Sequence, residues 1–424
     1  MQNQTHHNIF NKIVIVAALG YFVDIYDLVL FGMERVASLK DILSVTLPQQ
    51  ELSNLDKHVE EVGRHLLNWQ MFGMLIGGIV WGILADKKGR LSVLFGSIIT
   101  YSIANVLNGF VKDTDTYTIL RFFSGFGLAG ELGAGITLVS ETMTTEKRGM
   151  GTTMVAAIGL LGAVFAGLVP TFLKHVYPTY SWRTSYFIGG GMGFLLLLLR
   201  IGVYESGMYA SVKSSEVKKG NFFYLFSHPK ILGRYFAVIA IALPVWYVTY
   251  MLIQFAPEMC KLLGMNDYPK EARMPIMVEY IGVSLGDLAC GLISQKLKSR
   301  KKALYLFITG TLVVTVLYFL FVTRSQAMFY FIVLILGFAA GYWAVFMATA
   351  AESFGTNIRG TVATTAPNFV RGSVPLMSFS HELLKPSVGP INSVIVIGVV
   401  IFALALFSVY KIEETFSKNL NYTE

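Results

Sequence analysis

Apolar residues dominate the chain in long runs, which short polar stretches separate from one another. A helix that crosses the ~30 Å hydrocarbon core of a bilayer needs about 20 such residues. Twelve runs reach that length, so the sequence predicts an all-α integral membrane protein with twelve spans. The predicted spans cover residues 12–33, 64–85, 91–111, 116–141, 149–173, 182–204, 232–258, 274–296, 302–323, 327–351, 359–384 and 389–410.

Two polar segments lie between spans. Residues 34–62 form an external connection in which apolar residues such as Leu55, Val59 and Val62 recur at helical spacing. We expect a helical extension over the outer mouth there, with a partner-binding cap as the alternative. Residues 205–230 are predicted to be a cytoplasmic hinge, with a helix on the lipid surface as the alternative. The domain prediction is therefore a first bundle over 1–204, the linker over 205–230 and a second bundle over 231–424.

Composition supports lipid as the main solvent of this chain. Hydrophobic residues make up 54% and charged residues 14%, whereas soluble domains carry about 25% charged residues. The mean hydropathy is +0.58. This excludes a soluble enzyme, a DNA-binding protein and a disordered scaffold. The two cysteines, Cys260 and Cys290, imply neither a disulfide framework nor a metal cluster, and we expect no cofactor and no metal.

Basic residues predict the orientation of the spans. Nineteen Lys and Arg residues lie on the side of the termini and the even-numbered connections, against twelve on the other side. Basic loops stay in the cytoplasm, so both termini are predicted to be cytoplasmic, in a plasma membrane such as the bacterial inner membrane. The net charge of +8 lies in these short gaps, and we expect no nucleic-acid partner.

An internal repeat divides the chain into two halves. A set of four residues recurs 211 positions later with its spacing intact. The two sets are Gly130, Glu141, Arg148, Gly149 and Gly341, Glu352, Arg359, Gly360. Six spans in each half give parallel repeats related by an axis along the membrane normal, and transporters of this kind bind substrate between their halves near the bilayer midplane.

One motif carries a family resemblance. Residues 78–90 read GIVWGILADKKGR, which resembles the signature loop between the second and third spans of the major facilitator superfamily. The resemblance covers the whole chain and implies two six-helix bundles related by a pseudo-two-fold axis. It also implies that Asp86 helps to latch the outward-facing state. Arg90, with Lys87 and Lys88, is expected to hold this loop in the cytoplasm.

Two shorter motifs resemble particular subfamilies. Residues 24–32, DIYDLVLFG, resemble the first span of aromatic-acid and related proton symporters. Residues 121–131, RFFSGFGLAGE, resemble the fourth span of sugar porters and metabolite–proton symporters. The glycines of this second motif also match a dinucleotide-binding pattern, but they lie inside an apolar run, where small residues let helices approach closely. We therefore expect no nucleotide site.

Ionisable residues inside predicted spans are the candidate proton-coupling groups. A charge at the bilayer centre costs about 2.5–3.5 kcal/mol, and such groups usually face a watery cavity or one another. Asp24 and Asp27 lie on the first span, and Arg121 lies at a depth on the fourth span that can match Asp27. An arginine that leaves a carboxylate makes its protonation easier. A structural ion pair is the alternative, and Glu131 is either a proton or substrate contact or a strut between helices.

Arg371 is the candidate anion-binding group. It lies at mid-depth in the eleventh span without an evident partner nearby in sequence, and a guanidinium can grip a carboxylate or phosphate with two parallel hydrogen bonds. A structural partner, Asp287 or Glu279, is the alternative. Further predicted substrate contacts, each with a role in the helix core as its alternative, are Asn368, Tyr26, Gln254, Tyr342 and Trp343.

Ion pairs at the cytoplasmic ends of the spans are the predicted gate. Glu141 with Arg148, and Glu352 with Arg359, repeat in the two halves. Exposed pairs contribute little individually, so the gate would need several of them together with Asp86 and Arg90. Simple surface charge is the alternative.

The sequence as a whole predicts a secondary active transporter and not an enzyme. We expect alternating access and the proton-coupled uptake of a small organic metabolite, for which Arg371 favours an anion. The expected partners are this substrate, protons and the lipid bilayer, and we expect a monomer. A proton-independent uniporter or an efflux transporter for a siderophore or drug is the first alternative, and a nontransporting membrane receptor is the second.

Overall fold

The computed structural model describes residues 12–88, 90–131, 145–177, 182–205, 222–355 and 358–418, and these are helical almost throughout. No strand occurs among them. The helices of the first half are α1 (Lys12–Thr46), α2 (Leu55–Lys88), α3 (Arg90–Asn108), α4 (Thr114–Leu128), α5 (Thr145–Val176) and α6 (Trp182–Glu205). Those of the second half are α7 (Pro229–Trp246), α8 (Ala256–Leu262), α9 (Arg273–Leu297), α10 (Arg300–Phe321), α11 (Gln326–Ala340), α12 (Trp343–Glu352), α13 (Arg359–Gly372), α14 (Val374–Val388) and α15 (Pro390–Lys411).

These helices follow the predicted spans. Within the described ranges, nine helical segments are long and apolar enough to cross a membrane, and Ser92–Asn108 is a shorter apolar helix. The fourth span is described only as far as residue 131. The eleventh is divided into α13 and α14 at Ser373. The all-α prediction is confirmed, with boundaries that mostly differ by a few residues.

The external connection is helical over most of its length. α1 continues to Thr46 and α2 begins at Leu55, with a short 3₁₀ turn at Leu52–Asn54 between them. Val59 is buried, whereas Leu55 and Val62 are half-buried. We call the side that carries this connection the outer side, and the side that carries the 3₁₀ turn Phe222–Phe226 the inner side.

Besides the eleventh, two further spans of the second half are interrupted at mid-length. The seventh consists of α7, a π-helical segment at Tyr247–Gln254, and α8. The tenth breaks between α11 and α12 at Gly341 and Tyr342. π-helical segments frequently occur at functional sites, and both interruptions lie next to a tryptophan of the central site described below.

Contacts between the halves follow a two-fold pattern. α2 packs against α13 and α14, which form the eleventh span, and α5 packs against α9, the eighth span. A shift of six spans converts the second span into the eighth and the fifth into the eleventh, so one contact is the repeat of the other. α1 of the first half also contacts α9, and its outer part contacts the seventh span at Gln254.

Candidate functional site

Arg371 lies at the centre of the molecule between two tryptophans. Its side chain is buried, and its guanidinium carbon is 5.8 Å from the ring centroid of Trp246 and 5.6 Å from that of Trp343. Both distances lie within the range of cation–π attraction. Trp246 ends α7 where the π-helical segment begins, and Trp343 begins α12 after the break in the tenth span. The two interruptions therefore position the rings.

The polar atoms of this central site are incompletely paired. Nε and Nη1 of Arg371 form no hydrogen bond with any described residue, and the same holds for the indole nitrogen of Trp343. Asp24 of α1 is fully buried with both carboxylate oxygens unbonded within the described ranges, and Arg371 is the strongest positive charge acting on it. Tyr21 and Tyr280 experience both of these charges. The unpaired hydrogen-bond donors of Arg371 and Trp343, in the second half, thus lie in the same buried site as the carboxylate of Asp24, in the first half.

The two acids considered as partners of Arg371 have other partners. Glu279 accepts a hydrogen bond from the Thr249 hydroxyl at 2.6 Å. Asp287 accepts one from the backbone N–H of Ala344 at 2.8 Å, which caps the first turn of α12. Asp287 therefore fixes the helix start that carries Trp343.

Arg121 and Asp27 form a second buried group, within the first half. Nη2 of Arg121 donates to Oδ1 of Asn105 at 3.1 Å, and its guanidinium lies 5.1 Å from the ring centroid of Tyr186 and 5.6 Å from that of Phe31. Arg121 is the strongest positive charge acting on Asp27, whose carboxylate oxygens form no hydrogen bond with a described residue. The sequence predicts matching depths for these two residues, and the charge of Arg121 acts on Asp27; their role in proton coupling stays a prediction.

Glu131 forms a buried ion pair with Arg200 of α6. Nη1 of Arg200 donates to Oε2 of Glu131 at 3.0 Å, and Nη2 contacts Oε1. Both side chains are 2% exposed. A Cβ at Gly20 of α1 would collide with both groups, so the missing side chain makes room for the pair. Of the two roles considered for Glu131, the strut between helices fits this geometry.

Removing Arg200 should destabilise the protein strongly. Arg200→Ala leaves Glu131 buried and unpaired, and we expect a loss of about 3–5 kcal/mol in the free energy of unfolding. The double variant Arg200→Met, Glu131→Leu should recover most of this loss, because an apolar pair needs no compensating charge. The control is Arg183→Ala in the same helix, whose exposed pair with Asp41 should matter by less than about 1 kcal/mol. Denaturant unfolding in detergent measures all three; equal losses in both single variants would contradict the expectation.

The other predicted substrate contacts differ in what they touch. Nδ2 of Asn368 donates to the backbone oxygen of Ala129 at 2.9 Å and so joins the two halves one turn from Arg371. The hydroxyls of Tyr26 and Tyr342 donate to the backbone oxygens of Ser185 and Ile241 at 3.0 and 3.1 Å. Gln254 is buried near the outer side against Gly32, away from Arg371. Of these predicted contacts, Trp343 lies against the Arg371 guanidinium and Asn368 lies one helix turn from it.

The outer side is closed by ion pairs between the halves. Glu34 accepts two hydrogen bonds from Arg273 at 3.1 and 3.2 Å. Its neighbour Arg35 pairs with Glu258 at 2.7 Å and lies over the ring of Phe255. Glu34 and Arg35 are fully buried. Glu34 and Arg35 thus each form an ion pair with one residue of the second half.

Reversing one of these charges should open the outer side. In Arg273→Glu two buried acids face each other, and we expect a thiol reagent to label a cysteine placed at Asn68 at least about tenfold faster, since breaking a buried pair costs about 3–5 kcal/mol. Asn68 contacts Ser378 across the same interface at 2.9 Å. The exchange Glu34→Arg, Arg273→Glu should return the labelling rate toward that of the parent. If the exchange labels as fast as the single variant, this pair does not hold the outer side closed.

The inner side carries part of the predicted gate. Glu352 pairs with Arg300 at 3.2 Å and accepts a hydrogen bond from the Thr415 hydroxyl at 2.8 Å. Arg359 donates to the backbone oxygens of Ala351 and Phe354. Glu141 and the side chains of Asp86, Arg90 and Arg148 lie outside the described residues. The gate therefore stays a prediction.

The C-terminal segment contacts the same inner cluster. Glu414 accepts hydrogen bonds from the backbone N–H groups of Arg300 and Lys301 and from the Ser299 hydroxyl, at the start of α10. Partial burial raises the pKa of Glu414, but these donors outweigh it and hold the pKa below its usual value. The carboxylate therefore remains ionised and caps α10.

Sequence reasoning missed two groups of this architecture, the inner arginine of the Glu131 pair and the outer ion pairs. Arg200 follows five leucines at the end of the sixth span, where its charge resembles an ordinary span boundary. Glu34 and Arg35 belong to the predicted external connection 34–62, and Arg273 lies on the same side in the connection before the eighth span. Two adjacent residues of opposite charge after the first span, with Glu258 and Arg273 on the same side in the second half, are the signal that could have identified the outer closure. Among the described residues no cluster of His, Cys, Asp and Glu could hold a metal ion.

Comparisons with known proteins agree with this architecture. The family model described as Major Facilitator Superfamily matches residues 17–378. A metabolite transport protein of Haemophilus influenzae is 27% identical over 376 residues, 85% of each chain. The 3-(3-hydroxy-phenyl)propionate transporter of Escherichia coli is 25% identical over 354 residues, 80% of this chain and 82% of the relative. The solved structure of the proton:xylose symporter XylE bound to 6-bromo-6-deoxy-D-glucose has a TM-score of 0.74 at 17% identity and covers 99% of this chain and 98% of that one.

These matches confirm the resemblance based on residues 78–90 and the twelve-span architecture of two bundles. The relatives are transporters and not enzymes. The protein is therefore a multi-pass membrane transporter of small molecules. With the family model matching most of its length, the chain belongs to the major facilitator superfamily.

Proposed function

We propose that this protein takes up a small organic carboxylate together with protons by alternating access. The observation that carries the proposal is Arg371, which is buried between Trp246 and Trp343 with two guanidinium nitrogens unbonded within the described ranges. A guanidinium in this setting suits a planar anion, which it can grip with two parallel hydrogen bonds while the rings cover its apolar part. The name of the E. coli relative, an arylpropionate transporter, supports the same class.

Coupling between substrate and proton follows because the substrate carboxylate and Asp24 compete for Arg371. In the empty site the charge of Arg371 partly compensates Asp24. A bound carboxylate takes over the guanidinium, and Asp24 then faces a low-dielectric site without its positive neighbour. A carboxylate in this position takes up a proton. Loaded protein therefore carries substrate and proton together, and the two halves can then rock around the filled site.

The remaining elements of the proposal follow from sequence and charge. Both termini are cytoplasmic in a bacterial inner membrane, and the protein works as a monomer. Bundles 1–204 and 231–424 are joined by the linker 205–230. The pair of Glu34 with Arg273 closes the outer side while the inner cluster around Glu352 opens.

The test compares a carboxylate with its neutral counterparts. Proteoliposomes with an acidic exterior receive 3-(3-hydroxyphenyl)propionate, its primary amide or D-xylose, and protein-free liposomes correct for diffusion of the protonated acid. We expect accumulation of the carboxylate only, abolished by a protonophore. Transport of the amide or of xylose at the same rate would remove the anion assignment, and uptake that ignores the gradient would remove proton coupling.

A proton-independent transporter is the second candidate function. The observation that favours it is the hydrogen bond of Arg121 to Asn105 inside the first half, where Arg121 can serve the structure alone. Uptake along the substrate gradient without proton movement would support this function.

A further inference from the structure

The seventh span loses its α-helical pitch where it reaches the central site. Pro244 lies inside α7, two residues before Trp246, and a proline inside a helix removes one backbone hydrogen bond. The π-helical segment Tyr247–Gln254 begins directly after Trp246, and all eight of its residues are buried. Because π-helical turns are rare and usually single, a segment of this length depends on contacts that hold it in place.

Glu279 of α9 supplies such a contact. The hydroxyl of Thr249, three residues after Trp246, donates to Oε1 of Glu279 at 2.6 Å. The Glu279 side chain is fully buried, and its second oxygen, Oε2, forms no hydrogen bond with a described residue. No cation of the described residues pairs with this acid. Thr249 and Glu279 therefore join the seventh and eighth spans through a buried contact without an opposite charge.

The surroundings of Glu279 suit a neutral carboxyl group. Burying an ionised carboxylate without a partner costs far more than one hydrogen bond returns, and such a group takes up a proton instead. A protonated carboxyl group still accepts a hydrogen bond through its carbonyl oxygen, so the contact with Thr249 needs no charge. Asp24 differs, because the charge of Arg371 acts on it. Asp24 is thus suited to change its charge and Glu279 to hold a helix.

α9 gives this contact a rigid support. It packs against α11 so closely that a Cβ at Gly282 would collide with the backbone oxygen of Leu334. A Cβ at Gly337 of α11 would likewise collide with the backbone oxygen of Glu279 itself. The backbone that carries Glu279 therefore has little room to move, and the position of Thr249 follows from it.

The two interrupted spans are fastened to α9 in the same manner. Asp287, eight residues after Glu279, accepts the backbone N–H of Ala344 at the start of α12, which carries Trp343. At 1.5 Å per residue the two acids lie about 12 Å apart along the helix axis. Each acid holds one interrupted span, and each of these spans brings one tryptophan to Arg371.

We propose that Glu279 is a positioning residue that, in its neutral form, makes the central site selective for carboxylates with a flat apolar body. Through Thr249 it fixes the π-helical segment and with it the ring of Trp246 beside Arg371. The inference rests on the proposed function, because it assigns the selectivity of the same site. Glu279 acts through Trp246, whereas Arg371 binds the carboxylate group.

Two carboxylates that differ by an aromatic ring measure this selectivity. The dissociation constants of 3-(3-hydroxyphenyl)propionate and of propionate are determined by thermal shift on purified protein. In Thr249→Val the ring of Trp246 loses its fixed position, and we expect the preference for the aryl compound to fall at least about threefold. The affinity for propionate, which depends on Arg371, should stay within about twofold.

Glu279→Gln separates a neutral carboxyl group from an ionised one. The amide keeps an acceptor oxygen for Thr249 without a charge, so we expect the preference of the wild type. Glu279→Leu removes the acceptor and should behave like Thr249→Val. The infrared difference spectrum between the wild type and Glu279→Gln should contain the band of a protonated carboxyl group. The band of an ionised carboxylate instead, or a lost preference in Glu279→Gln, would contradict the neutral form.

The matched control is Thr311→Val, which removes a buried hydroxyl that bonds within α10, and both affinities should remain. If Thr249→Val keeps the preference of the wild type, or if the wild type binds both carboxylates alike, the assigned selectivity is wrong while carboxylate binding stands. If the wild type binds neither, the proposed function fails. Acrylamide quenching of Trp246 fluorescence, measured against the same variants with Trp246→Phe, then decides the positioning role alone. We expect stronger quenching in Thr249→Val than in Thr311→Val, and equal quenching overturns the role.

Discussion

Replacing Arg371 by alanine should abolish the binding and transport of carboxylates. The guanidinium is the only group we assign to the substrate anion, and truncating one partner of a buried charge pair costs about 2–5 kcal/mol. This corresponds to a loss of about thirtyfold to several thousandfold in affinity. Binding is measured by a thermal shift with the test carboxylate and transport by exchange in proteoliposomes. We expect both to be lost together.

Two further variants separate the charge of Arg371 from its shape. Arg371→Lys keeps the charge but not the two-pronged donor, and we expect it to recover only a small part of the affinity. Arg324→Ala, at an exposed arginine of the outer side, should leave binding unchanged. Wild-type affinity in Arg371→Ala would mean that the anion binds elsewhere, and the assignment of the central site would be wrong.

Replacing Asp24 by asparagine should uncouple substrate from protons. The variant cannot release or take up a proton at this position, so we expect gradient-driven accumulation to fall to the level of simple equilibration. Exchange without a gradient should continue. Because the amide no longer compensates Arg371, the test carboxylate should bind at least as tightly as it does to the wild type. This combination, tighter binding with lost accumulation, is specific to competition for Arg371.

Asp27 and Asp115 provide the comparison for Asp24. Asp27→Asn should also lose accumulation, but its neighbour is Arg121 and not Arg371, so the affinity for the carboxylate should stay unchanged. Asp115→Asn, in the exposed first turn of α4, should affect neither activity. An Asp24→Asn variant that accumulates substrate normally would exclude this residue from coupling.

The fold could be predicted from the sequence because lipid leaves the backbone few alternatives. In hydrocarbon each backbone polar group must be satisfied internally, so an apolar run of sufficient length becomes a helix. Run length does not predict where a span is interrupted, because the packing of neighbouring helices determines the interruptions. The breaks at Gly341 and Ser373 and the π-helical segment after Trp246 lie inside apolar runs. Gly341, Pro375 and Pro244 mark weak points there, but such residues also occur in unbroken membrane helices, so the sequence does not show which of them interrupts a span. The helical extension expected for residues 34–62 is present, since α1 continues to Thr46 and α2 begins at Leu55, but its ion pairs with the other half could not be read from the sequence.

Apart from the matching depths of Asp27 and Arg121, the candidate site could be predicted only as single residues. Arg371, Asp24, Asp27 and Arg121 are charges inside apolar runs, and their cost in lipid identifies them. Their neighbours come from distant segments. The sequence leaves open whether Arg371 faces Asp287, Glu279 or Asp24, because all three lie at compatible depths and only the packing of α1 against the second half decides.

The simultaneous measurement of substrate and proton flux tests the central claim most directly. Proteoliposomes that contain a pH-sensitive dye receive radiolabelled 3-(3-hydroxyphenyl)propionate with an equal pH on both sides, and both signals are followed for the wild type and for Arg371→Ala. We predict that the interior acidifies in step with carboxylate uptake in the wild type, beyond the signal of protein-free liposomes, and that Arg371→Ala shows neither flux. Two results would contradict the proposed coupling, in which the substrate carboxylate replaces Asp24 as the partner of Arg371. One is carboxylate uptake without acidification, and the other is equal fluxes in Arg371→Ala and the wild type.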